Sequence, residues 1–141
     1  MQLGFGTTLH TTFDDAVART REALSEQGFG VLTEIDVTAT LKKKLDEDME
    51  KFLILGACNP GFAHRALGVE RQIGLLLPCN VVVRDDTENE GTVIVEAMNP
   101  GVMVAVADAP GLPEIADGAA ELLRAAIATL ENSTVGASTN S

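Results

Sequence analysis

The chain of 141 residues has no tryptophan and no tyrosine, five phenylalanines and two cysteines, and no apolar run long enough to span a membrane. With so few aromatic side chains, the 45% of residues that are hydrophobic predict an aliphatic core of Val, Leu, Ile and Ala. A single domain of this length buries roughly 70% of the surface its unfolded form exposes, enough for a core without covalent staples. Two cysteines are also too few for a disulfide framework. The opening Met1-Gln2-Leu3-Gly4-Phe5-Gly6 lacks the basic and apolar regions of a secretion signal, so the expectation is a soluble cytoplasmic protein with both thiols reduced.

Charge excludes a second set of functions. Twenty-one acidic against ten basic residues leave a net charge of -11, which repels a phosphate backbone and argues against nucleic acid as a partner. The one basic run, Lys42-Lys43-Lys44, is balanced at once by Asp46, Glu47, Asp48 and Glu50 and reads as a solvated helix face. No dinucleotide fingerprint, phosphate-binding loop, nucleophile elbow or His-Glu-x-x-His motif occurs. Asp85, Asp86, Glu88 and Glu90 resemble a calcium loop in charge only, because register and glycine position are wrong.

The patterns that are present predict ten elements. Residues 2–9 read as a strand, and Phe13, Ala16, Val17, Thr20 and Leu24 recur at helical spacing behind a Thr11 or Thr12 cap until Gly28 stops the helix. Phe29, Val31, Thr33, Ile35 and Val37 alternate with Gly30, Leu32, Glu34 and Asp36, the period of a half-buried strand with one face inward and the other mostly towards water. A second helix, capped by Thr38 or Thr40, is expected to carry the stripe Leu41, Leu45, Met49, Phe52. Residues 52–58 are apolar on both faces and read as a central strand, followed by a helical stretch over 61–76, broken or bent near Gly68. Residues 80–84 and 92–97 form an antiparallel hairpin. Residues 102–107 suit a short helix or a strand, and a closing helix starts near Leu112 and buries Ile115, Leu123 and Leu130. Domain and tail divide at 1–131 and 132–141, the tail being small, polar and flexible.

This order predicts an α+β two-layer sandwich, with a mixed or antiparallel sheet of about five strands and helices on one face. A sheet face left free and partly apolar favours a second copy as its cover, so a homodimer is expected.

Gly56-Ala57-Cys58-Asn59-Pro60 and Ile73 to Val83, which contains Leu77-Pro78-Cys79-Asn80, resemble the signature stretches of the domain-of-unknown-function 302 family. The resemblance runs from about Thr7 to Leu130 and includes the helix start at Phe13-Asp14-Asp15, the strand entry at Gly28-Phe29 and the turn at Asn99-Pro100. It implies a compact domain of the TATA-binding-protein-like type, typically dimeric, and implies no activity. Val102-Met103-Val104-Ala105-Val106 is more β-branched than the short helix that the family would place there.

The candidate site lies where the two cysteines fall. Cys58 ends a strand before an Asn-Pro helix start, where free amides and the helix dipole favour a thiolate, and Pro78 aims Cys79 towards the same end of the sheet. His64 stands six residues beyond Cys58, and Arg65 and Arg71 offer positive charge to an anion. Three functions follow. The leading one is a ligand-binding or accessory module that holds a small molecule or an anion among Cys58, Asn59, His64, Arg65, Cys79, Asn80 and Asn99. The others are a redox protein cycling Cys58 and Cys79, and a metal site of Cys58, His64 and Cys79.

Overall fold

A computed structural model describes residues 2–140, with side chains described to Asn132. The elements are β1 (Gly4–Leu9), α1 (Phe13–Glu26), β2 (Gly30–Asp36), α2 (Val37–Leu45), β3 (Phe52–Cys58), α3 (Pro60–Val69), a 3-10 stretch (Arg71–Leu76), β4 (Cys79–Asp85), β5 (Val93–Met98), α4 (Gly101–Val106) and α5 (Leu112–Asn140). The tail expected over 132–141 falls almost wholly outside the described side chains.

The five strands form one sheet in the order β1-β5-β4-β3-β2, and every pair is antiparallel. Register assigns each side chain a face. Phe5, Ala97, Val81 and Leu55 lie side by side in one row, and Thr7, Val95, Val83 and Leu53 in the next. These rows are packed by Ala16, Ala23 and Leu24 of α1 and by Leu123, Ala126, Ile127 and Leu130 of α5. A second apolar cluster joins Ala66 of α3, Ile73, Met103 of α4 and Leu112 and Ile115 of α5 at one end of the sandwich. The α+β architecture with helices on one face is therefore present, and the sheet is antiparallel throughout.

Capping explains the helix starts. The Thr12 hydroxyl accepts from Asp15 N at 3.2 Å, and the Asp36 carboxylate accepts from Ala39 N at 2.9 Å. Residues 102–107 resolve as α4, whose short span is fixed by a turn at Asn99 and Pro100 rather than by β-propensity.

Two expectations are corrected. The strand alternation does not run unbroken through β2: a register shift between Val31 and Thr33 inserts an extra residue, so Glu34, not Ile35, lies on the helix side. The Arg21 guanidinium of α1 pairs with Glu34 there, and Ile35 is half exposed on the opposite face. The second helix also stops early. Asp46 turns left-handed at φ 54° and closes the end with bonds from its own N–H to Lys42 O and from Glu47 N–H to Leu41 O, so Met49 and Phe52 lie beyond α2.

Candidate functional site

Cys58 is the last residue of β3 and Cys79 the first of β4, with Ala57 directly opposite Cys79. The topology thus brings the two cysteines to neighbouring strand ends. Both border a cavity of about 20 Å³ whose other walls include Phe29, Phe62, Met103 and Ile115. That is space for about one water molecule, with almost no polar group to hold it. Cys58 is partly exposed and Cys79 buried, and both are free thiols. Burial pushes the Cys79 thiol up to about 11, and charge on nearby Cys58 pushes the same way.

The other candidates are not gathered around this cavity. Phe62, Ala63 and Ala66 are the α3 residues that line it, and helical phase turns His64 and Arg65 outward, where both are exposed. The Arg65 guanidinium stacks over the Phe62 ring at 4.5 Å, and its Nε donates to Gly61 O at 3.4 Å. Arg71 is exposed at the start of the 3-10 stretch. Among the described residues no group of three or more His, Cys, Asp or Glu side chains could hold a metal. The cluster expected from Cys58, His64 and Cys79 is not assembled, because His64 sits on the solvent side of α3.

Two of the three asparagines are occupied by backbone. Asn59 caps α3, accepting from Phe62 N at 3.3 Å while its amide donates to Gln27 O at 3.5 Å. Asn99 accepts from Gly101 N and donates to Gln2 O, each at 2.9 Å, tying the turn before α4 to the entry of β1. Asn80 is exposed and stands opposite Gly56 on the face the helices leave bare.

That bare face holds residues that motif reading passed over. Gly6, Glu96, Val82, Ile54 and Ile35 form one row across the sheet, and Thr8, Ile94, Arg84 and Phe52 the next. Arg84 binds Glu96 through both Nε and Nη2 at 3.1 Å. Because β1 contributes only glycines at positions 4 and 6, a trough of about 310 Å³ opens along that side, lined by Leu3, Gly4, Asn80, Val82, Glu96 and Met98. A Cβ on Gly4 would stand 2.7 Å from Ala97 O, so the strand could not be this close with any other residue. The sequence carries the spacing Gly4-x-Gly6 on the face opposite Phe5, which marks a trough only once β1 is known to pair with β5.

Among curated proteins, none matches the chain. Of the solved structures, the crystal structure of an uncharacterized conserved protein DUF302 from Bacillus stearothermophilus is similar at a TM-score of 0.81 and 30% identity, covering 90% of this chain and 97% of that one. The family model described as domain of unknown function DUF302 matches residues 5–130, nearly the whole sandwich from β1 to the core-facing part of α5. The chain belongs to the DUF302 family.

Proposed function

We propose that the chain is an accessory module that works as a homodimer, two copies meeting through their bare sheet faces, with a small ligand held in the trough beside Asn80. The observation that carries this reading is the composition of that face. Val82, Ile54, Ile94, Phe52 and Met98 are partly exposed there, Ile35 is 50% exposed, and the only ionic groups at its centre, Arg84 and Glu96, neutralise each other. A face of this kind costs little to dehydrate and gains from burial. The trough on its β1 side would then be roofed by the second copy. The ligand fits a small molecule that exchanges hydrogen bonds with the Asn80 amide. Nucleic acid is not a proposed partner, because a charge of -11 repels it.

The alternatives have less support. Burial pushes the Cys79 thiol up to about 11 and disfavours its thiolate at neutral pH, so in a redox cycle only the partly exposed Cys58 would be placed to attack. Among the described residues a metal site lacks its third ligand.

Sedimentation velocity at micromolar concentration tests the dimer. The expected result is a dimer for the native chain and a folded monomer for Val82→Lys with Ile54→Lys. A native chain that sediments as a monomer would overturn the reading. Native mass spectrometry tests the ligand: mass retained by the native chain and lost from Asn80→Ala is expected, and retention by both would move the ligand elsewhere.

A further inference from the structure

A second cleft lies apart from both the trough and the cysteines. It measures about 440 Å³ and opens between the start of α1, the body of α2 and the residues that lead into β3. Its apolar surface comes from Phe13, Ala39, Phe52 and Leu53.

The polar groups around that surface divide into those already engaged and those that are not. Lys42 is bound to Asp46 at 3.0 Å and to Asp48 at 3.1 Å. Asp36 caps α2, and the Thr38 hydroxyl accepts from Phe52 N at 2.8 Å while donating to Glu50 O at 2.7 Å. Lys51 is different: its ammonium lies 5.6 Å from the Phe13 ring centre with no carboxylate in ion-pair reach among the described residues. The carboxylates of Asp14 and Glu47 line the same cleft and likewise have no cationic partner among the described residues. The cleft therefore offers one unpaired cation and two unpaired anions around an apolar floor. Both walls are anchored, since the Lys51 carbonyl accepts from Asp85 N at 2.9 Å and Thr12 fixes the first turn of α1.

We infer that this cleft binds a small zwitterion with a hydrocarbon body, an α-amino acid with an apolar side chain. Its carboxylate pairs with Lys51, its ammonium with Asp14 and Glu47, and its side chain lies on Phe13 and Leu53. A simple anion meets two carboxylates here and a simple cation meets Lys51, so neither charge alone is matched. The site is open to water, which screens its ion pairs, and a dissociation constant on the order of 1 mM is expected.

The test is a titration of the full-length, isotope-labelled chain with L-phenylalanine, followed by amide resonances. Saturable shifts centred on Phe13, Asp14, Lys51 and Phe52 are expected. 3-Phenylpropionate, which lacks the ammonium, and phenethylamine, which lacks the carboxylate, should each bind at least about tenfold more weakly. Lys51→Met and Asp14→Asn lie on the surface, and both should weaken L-phenylalanine without changing the thermal midpoint. Absence of saturable shifts, shifts centred on the trough instead, or equal binding of the two analogues would overturn the inference.

Discussion

At Cys79 the sulfur is sealed beneath the end of the sheet, and its ionisation follows from that position. The thiol rises from its ordinary 9.0 to about 11, first through burial and then through Cys58. Between those two values the unfolded chain has released the proton and the native chain has not. Native stability is therefore complete below about 9 and declines as pH rises towards 11, by about 2 kcal/mol for this group alone. Urea unfolding at pH 8 and at pH 10.5 should show that decline in the native chain and a shallower one in Cys79→Ala. Equal slopes would mean that the thiol is as well hydrated in the fold as out of it. The same burial predicts that an alkylating reagent modifies Cys58 rapidly and Cys79 only when the chain unfolds. Gly56 is a second residue fixed by its neighbours. A Cβ there would collide with the Thr33 hydroxyl and approach Pro78 Cγ to 2.9 Å, on the face where Pro78 folds over β3. Gly56→Ala should cost about 1 to 3 kcal/mol in urea unfolding, because Thr33 can rotate but the proline ring cannot.

Among the elements, α3 illustrates how far a motif can be read without its geometry. Asn59-Pro60 announces a helix start, and Asn59 is the cap with Pro60 in the first turn. What the letters did not disclose is that this role uses up the side chain: one end of the Asn59 amide closes α3 and the other reaches Gln27 O. Asn59→Ala should accordingly lower stability by about 1 kcal/mol, whereas Asn59→Asp keeps the cap acceptor and should retain most of it. Asn80→Ala, at an exposed position, should change stability by less than about 0.5 kcal/mol. If Asn80→Ala proves the more damaging of the two, the assignment of cap and trough residues is reversed. Helical and strand periods were legible wherever one face is wholly buried, as in α1, β4, β5 and α5. They misled at β2 and α2, where neither a glycine nor a proline marks the break. The extra residue at Leu32 is decided by pairing with β3, which is tertiary, and the left-handed Asp46 by a C-cap closed on Leu41 O and Lys42 O by a residue that is not glycine.

For the whole molecule, the layer count and the bare face were legible because the strand patterns supply one apolar face too many for helices on one side to cover. The trough was not, since it depends on β1 lying at the sheet edge next to β5, a pairing between residues about ninety apart in the chain. Charge then governs association. Each copy brings -11, while the proposed contact face holds only the mutually neutralised Arg84 and Glu96 near its centre. Repulsion therefore arises from the surrounding surface and acts across water, where salt screens it: the Debye length falls from about 30 Å at 0.01 M to about 8 Å at 0.15 M. Burial of Val82, Ile54 and Ile94 is not weakened by that change. Dimerisation measured by sedimentation should then tighten between these two salt concentrations, and the monomeric Val82→Lys with Ile54→Lys variant should show no such change. A dimer that loosens with added salt would instead be held by ion pairs between copies, with Arg84 and Glu96 exchanging partners across the contact.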